Sequence, residues 1–145
     1  MHNREAPGSP KVSVSITHAN TQAMLSSHNK IHQLFPRDTI LFHSSMSFDL
    51  SVAQIWGSLT SGATMALAIQ ECRQDPEKLA WFMQTVGVTV TYFPATQFGL
   101  LLENGKKQLA RCLKYHSAIF AGEYLPVRLV KAIYDLGTPV TVYNQ

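Results

Sequence analysis

Hydrophobic and polar positions alternate along this chain in blocks that change period. From Ile16 through Phe35, the segment ITHANTQAMLSSHNKIHQLF places Ala23, Met24, Ser27, Ile31 and Leu34 near one face. That spacing predicts an amphipathic helix, which Pro36 stops. The short apolar run from Thr39 to His43, set between Pro36-Arg37-Asp38 and a serine-rich stretch, predicts a strand. In Asp49 to Leu59, residues Val52, Ile55, Trp56 and Leu59 recur at i, i+3, i+4 and i+7, predicting a helix with those four on one face; Thr60-Ser61-Gly62 ends it. Thr64 to Ile69 reads as a buried strand. Asp75-Pro76-Glu77 supplies acidic and proline start signals for a helix running to Val86. Val88 to Phe93, dense in β-branched and aromatic residues and closed by Pro94, predicts a third strand. The alternation continues with a helix over Ala95 to Leu102, a strand over Tyr115 to Phe120, a helix over Pro126 to Leu136 and a last strand over Val140 to Tyr143.

Five strands separated by helical stretches predict an α/β fold, a mostly parallel sheet with flanking helices and right-handed crossovers. In such sheets, ligands bind beyond the carboxyl ends of the strands. The residues placed there are Ser44 to Asp49, Glu71 to Arg73, Phe93 to Thr96, Ala121 to Glu123, and Asn144-Gln145. Residues 1–13 are polar and broken by Pro7, Gly8 and Pro10, and read as a loop; residues 14–145 form the folded part.

Composition adds one unusual figure. Only 14% of the 145 residues are charged, beside 46% hydrophobic ones, where soluble domains run to about 25% charged. Disorder is excluded. Two explanations remain open: surface covered by neighbours in a larger body, or polarity supplied by Ser and Thr instead of charge. The net charge of +3 comes from dispersed Lys and Arg, with no basic stripe interleaved with aromatics, so nucleic acid is not the expected partner. Apolar stretches such as Ala63 to Ile69 fall well short of the ~20 residues of a membrane span, and the N-terminus lacks a signal-peptide core. Cys72 and Cys112 have no metal-like or redox spacing and read as reduced thiols. The expected location is cytoplasmic.

Asp49 carries two readings at this stage. It is either a helix-start acid that suits the helix dipole or a carboxylate at the mouth of the sheet, able to pair with an ammonium group. Ala121-Gly122-Glu123 is a turn whose small residues let a planar ligand approach the backbone, or simply a tight turn. His28 and His32 stand at i, i+4, one helix face apart. Two nitrogens can bind metal, but with no third ligand at suitable spacing a solvent-facing pair is the expectation, and no metal site or catalytic residue is assigned.

In order, these segments resemble the adenylation (AMP-binding) domains of nonribosomal peptide synthetases, within the AMP-forming acyl and aryl ligases. Gly8-Ser9-Pro10-Lys11 followed by Ile16-Thr17-His18-Ala19-Asn20 is similar to the end of the family's phosphate loop and the helix start beyond it. Ser47-Phe48-Asp49-Leu50-Ser51-Val52, with Leu59 to Thr64, is similar to the Ser-Phe-Asp-x-Ser segment and its sequel. Gly87 to Ala95 resembles the strand leading to a Pro-Ala step. Ala121-Gly122-Glu123 with Leu125-Pro126 is similar to the Gly-Gly-Glu-x-Leu-Pro adenine segment, and Val142 to Gln145 to the start of Asn-x-Tyr-Gly-Pro-Thr-Glu.

The resemblance implies ATP-dependent formation of an aminoacyl-AMP, with ATP and Mg as cofactors, an amino acid as substrate and a phosphopantetheine-bearing carrier domain as partner. It implies a substrate pocket lined by Asp49, Leu50, Ala53, Tyr92, Ile119, Ala121 and Gln145, with Asp49 binding the α-ammonium. Largely apolar walls suggest a small or medium apolar amino acid. Ala121, Gly122, Glu123 and Asn144 would face the nucleotide. The sequence also departs from the family pattern. Asn3 to Pro7 stands where the hydroxyl-rich phosphate run belongs, Val12 replaces the run's last glycine, and the chain stops inside the last motif. It is therefore expected to be a central fragment, inactive alone. A non-catalytic remnant or small-ligand-binding module, and less favourably a piece of an acyl- or aryl-CoA ligase, are the other readings.

Overall fold

A computed structural model describes residues 14–145. The loop expected over residues 1–13, with its comparison to a phosphate loop, lies outside the described residues. Helix α1 (His18–Ile31) leads into β1 (Thr39–Phe42), α2 (Leu50–Ser61), β2 (Thr64–Leu67), the single turn α3 (Gln70–Arg73), α4 (Pro76–Val86) and β3 (Val90–Phe93). It continues through α5 (Ala95–Leu109), β4 (Ser117–Phe120), α6 (Val127–Tyr134) and β5 (Thr141–Asn144). The strands form one parallel sheet in the order β2-β1-β3-β4-β5, as the alternating pattern predicts.

Local chemistry accounts for the helix starts. Thr17 and Asn20 close a reciprocal capping box at α1, and the Asp75 carboxylate accepts from the Glu77 and Lys78 amides ahead of Pro76. Each satisfies backbone donors that a helix leaves orphaned. Helix α5 runs a full two turns beyond the expected Leu102. It survives an interruption at Gly105 (φ −120°, ψ 18°), where the missing side chain lets α4 approach at Ala80.

The sheet divides the core in two. On one face, α4, α5 and α6 bury Leu79, Met83, Phe93, Phe98, Leu101, Phe120 and Ile133. A smaller cluster occupies the other face, where Leu34, Ile40, Leu50, Val90, Tyr92 and Ile119 meet, with Ala53, Ala63, Ala121 and Tyr143 packed against them. This second face is where the hydrophobic pattern misleads.

On α1 the buried positions are Leu25, His28 and His32, whereas Ala23, Met24, Ser27 and Ile31 are exposed. The expected solvent-facing histidine pair is thus buried. On α2 the inward stripe is Leu50, Ser51, Gln54, Gly57 and Ser58; of the apolar face, Trp56 and Leu59 point outward, and Val52 and Ile55 are half-buried. Strand β2, expected to be buried, is a sheet edge with Met65 and Leu67 accessible and Ala66 inside. On the helices, polar and small side chains such as His28, Ser51, Gln54 and Gly57 take the inward positions and larger apolar residues are left outside; β2 is accessible because it has a neighbouring strand on one side only in the sheet order.

Candidate functional site

Parallel register fixes a level surface at the carboxyl ends of the central strands. Phe93, Phe120 and Asn144 are register partners across β3, β4 and β5, and one residue earlier so are Tyr92, Ile119 and Tyr143. Alternation along a strand sends these two rows to opposite faces. The Tyr92, Ile119 and Tyr143 row therefore faces α1 and α2, and Ala121 continues that face.

Five of the expected pocket residues, Leu50, Ala53, Tyr92, Ile119 and Ala121, come together in this one cluster. Leu50 and Ala53 descend from the first turn of α2, and Tyr92 and Ile119 rise from the sheet as fully buried side chains. Gln145 reaches the same face through His32: its carboxamide nitrogen lies 2.5 Å from His32 Nε2 and donates to it. Asp49 stands exposed at the head of α2 beside this cluster. Its backbone is helical (φ −60°, ψ −31°) and its carboxylate makes no capping hydrogen bond, so it stands at the helix start where it suits the dipole without closing a cap. The carboxylate is left at the mouth of the face.

Gln54 holds the mouth in shape. Its Oε1 accepts from the His43 and Ser44 amides at 3.4 and 3.2 Å, while its Nε2 donates to Ser44 Oγ at 2.9 Å and the Tyr92 carbonyl at 3.3 Å. One buried amide thus joins the ends of β1 and β3 to α2. His43 packs on Phe93 with ring centroids 4.0 Å apart, and burial pushes its pKa down to about 4.

The turn after β4 is organised differently from its neighbours. Gly122 adopts φ +81°, and a Cβ built there would meet nothing within 4 Å, so a flat ligand has open access to the backbone. Glu123 folds away from that opening. Its carboxylate accepts from the Thr96 amide at 2.9 Å and from Thr96 Oγ1 at 2.9 and 2.8 Å, fastening the turn to the start of α5. Asn144 is exposed at the end of β5. Among the described residues no three His, Cys, Asp or Glu side chains gather as a metal site.

The sequence pattern puts His28 and His32 on a solvent-facing side and singles out neither Asn29 nor Tyr143. His28 stacks on Tyr92 (centroids 5.4 Å, planes 23° apart), His32 lies 4.5 Å from His28, and Tyr143 meets His32 edge-on at 4.6 Å. The i, i+4 spacing of the two histidines was the available signal. At the amino ends of the strands, buried Asp38 accepts from His116 Nε2 (2.9 Å), Thr89 Oγ1 (3.1 Å) and the Phe35 amide (2.8 Å), tying β1, β3 and β4 together.

The described residues form an α/β unit, a parallel sheet whose carboxyl ends carry a buried, largely apolar cluster, an unengaged acid and a glycine turn. Residues 8–144 match the profile of the AMP-binding enzyme family, and the chain belongs to that family. More particularly, it is similar to the hybrid PKS-NRPS synthetase pynA of Aspergillus niger, 50% identical over 144 residues, or 99% of this chain and 4% of that protein. It is 37% identical over 144 residues to the hybrid PKS-NRPS synthetase pyvA of Aspergillus violaceofuscus, with the same 99% and 4% coverage. Its fold resembles the adenylation domain AlmE of Vibrio cholerae, solved with glycyl-adenosine-5'-phosphate (TM-score 0.77, 24% identity, 90% of this chain and 24% of that one). It also resembles the nonribosomal peptide synthetase FmoA3 in an AMPPNP-bound form (TM-score 0.79, 20% identity, 90% and 14%). The chain spans 4% of the length of the first two relatives.

Proposed function

We propose that this chain supplies the amino-acid face and part of the adenine face of a domain that activates an amino acid as its aminoacyl-AMP for transfer to a phosphopantetheine thiol on a carrier domain. The observation that carries the reading is Asp49: an exposed carboxylate beside Leu50 and Ala53, free of any cap bond, above a buried cluster that includes Tyr92 and Ile119. A partly desolvated ammonium group needs a paired carboxylate, since an unpaired charge away from water is costly. Asp49 would hold the α-ammonium and thereby orient the carboxylate outward, toward the open turn at Gly122. When bound, ATP supplies the α-phosphorus that this carboxylate oxygen attacks as the bond to pyrophosphate breaks. The backbone at Ala121 and Gly122 would receive the adenine plane, while Glu123 keeps the turn in place through Thr96.

Charge stabilisation in such a transfer depends on groups aimed at the phosphates. None of the residues assembled at Asp49, Tyr92 or Gly122 is a cation, so the 145-residue chain by itself should bind an amino acid without catalysing exchange of pyrophosphate into ATP. Ligand-observed NMR with the folded chain tests the reading. Free amino acids should bind, and both Asp49→Ala and N-acetylation of the ligand should weaken binding by about tenfold or more. Binding that survives Asp49→Ala would sink the ammonium-partner assignment, and amino-acid-dependent exchange by the chain alone would overturn the claim that it is inactive.

A further inference from the structure

We infer that Gln54 positions Asp49 for ammonium recognition: from a buried place on α2, touching no ligand itself, it sets where the head of the helix stands relative to Tyr92. The inference rests on the amino-acid-binding reading above and adds to it a residue outside the expected pocket lining.

Helix α2 is held at its two ends by different means. At its carboxyl end the chain turns through Gly62 (φ +71°), the Ala63 amide donates to the Ser58 carbonyl (2.9 Å), and Asn29 Nδ2 donates to Thr60 Oγ1 (2.8 Å). Those bonds secure the half of the helix remote from the site. At the amino end Asp49 closes no cap. Ser51 Oγ donates to the Met46 carbonyl (3.3 Å), the Phe48 amide to the Ser45 carbonyl (3.0 Å), and the Ser45 and Ser47 hydroxyls lie 2.9 Å apart. These partners belong to the loop that carries Asp49, so they fix its shape but not its distance from the sheet. Among the described residues, Gln54 alone sends side-chain hydrogen bonds from the first two turns of α2 to the ends of β1 and β3.

Gln54 is fully buried, so water does not compete for its amide. Its two polar atoms act on different segments. Oε1 gathers the His43 and Ser44 amides, where the loop to Asp49 begins, and Nε2 reaches the carbonyl of Tyr92, whose ring packs in the cluster with Leu50 and Ala53. One carboxamide thereby sets the spacing between the helix side and the sheet side of that cluster. An acceptor and a donor on one planar group are supplied by glutamine, and by neither methionine nor an ionised glutamate. A hydrogen bond weakens steeply as its distance and angle leave their optimum, so a shift of the helix head by about 1 Å is enough to loosen the hold of Asp49 on an ammonium group. Ser58 provides the contrast. It is equally buried, and its Oγ donates to the main-chain carbonyl of Gln54 (2.6 Å) inside the helix without reaching β1 or β3.

The standard amino acids, each beside its N-acetyl derivative, are screened by ligand-observed NMR against the folded 145-residue chain, and the tightest binder is carried forward. The native chain should prefer the free amine by about tenfold or more. Gln54→Met, similar in length, should reduce that preference to about threefold or less, and Gln54→Glu, which loses the donor to the Tyr92 carbonyl, should act in the same direction. In an Asp49→Ala background Gln54→Met should change affinity by less than about twofold, because the group it positions is gone. Ser58→Ala should lower the urea midpoint and leave the preference for the free amine unchanged, which separates positioning from stability. A tenfold preference that both Gln54 variants leave intact would overturn the positioning role and leave Asp49 standing. So would an equal loss in Ser58→Ala, additivity with Asp49→Ala, or failure of both Gln54 variants to fold by circular dichroism. A native chain without preference for the free amine, or a preference that survives Asp49→Ala, would overturn the ammonium reading and this inference with it.

Discussion

His28 lies face to face with Tyr92, their ring centroids 5.4 Å apart and their planes 23° from parallel. One comes from the third turn of α1 and the other from the centre of β3, so a helix is keyed to the sheet by two amphipathic rings. His32 extends the contact to Tyr143 on β5.

Burial makes this contact sensitive to acid. Desolvation lowers the pKa of His28, and burial followed by the neighbouring His28 lowers that of His32 to about 4, below the ordinary 6.5. In that window the unfolded chain binds protons that the folded chain does not, so stability is full above about pH 6.5 and falls as the pH drops towards 4. Urea unfolding at stepped pH should show this slope. His32→Phe should flatten it, with His43, also lowered to about 4, accounting for part of the remainder.

Asp38 adds a second, lower acid limb. Its burial alone would raise the carboxyl, but hydrogen bonds from His116, the Phe35 amide and Thr89 outweigh that and hold it below its ordinary value. The stability it contributes is present above the ordinary carboxylate range and is lost as the pH falls through the lowered value. Asp38→Ala should destabilise by about 2–4 kcal/mol at neutral pH, since it leaves the Phe35 amide without its acceptor and removes the shared acceptor of His116 and Thr89. Chemical denaturation at pH 7 and pH 3 checks both statements, the loss being smaller at pH 3.

Gly105 is a packing requirement between α4 and α5. A Cβ there would overlap the Cβ of Ala80. Gly105→Ala should cost about 1–3 kcal/mol through overpacking, and Ala80→Gly should recover part of it. A double-mutant cycle that came out additive would show that the two positions do not meet.

Glu123 is expected to act as a clamp. Glu123→Ala and Thr96→Ala should each cost about 1 kcal/mol, the range of a lost helix-start acceptor, and the double variant little more than either. Amide hydrogen exchange at Ala121 and Gly122 should quicken in both single variants if the turn is held by this contact.

The exposed apolar positions predict self-association. Trp56 is 49% accessible, Leu59 59% and Leu67 57%, and Leu67 lies on an edge strand whose outer backbone is unpaired in the sheet order. Trp56→Gln with Leu67→Lys should lower the sedimentation-weighted mass at high concentration while leaving the thermal midpoint within a few degrees.

Strand identity, the parallel order of βα units and the residues at the strand ends were legible in the chain itself. Runs such as Val88 to Phe93 and Tyr115 to Phe120 are apolar on both sides, as a covered parallel strand must be. Aspartate and proline at Asp75-Pro76 and Pro94 marked where helices begin. The family resemblance carried by the segment order names Asp49, Leu50, Ala53, Tyr92, Ile119, Ala121 and Gln145 together, and the fold gathers Leu50, Ala53, Tyr92, Ile119 and Ala121 in one cluster. What the sequence could not determine was which side of α1 and α2 turns inward. Periodicity finds the apolar stripe of a helix, and burial follows that stripe only when hydrophobic area dominates the interface. Here the inward positions are His28, His32, Ser51, Gln54 and Gly57. Only the tertiary structure places them against Tyr92 and the ends of β1 and β3, because their hydrogen bonds, ring contacts and small volumes become favourable once the sheet is there to meet them.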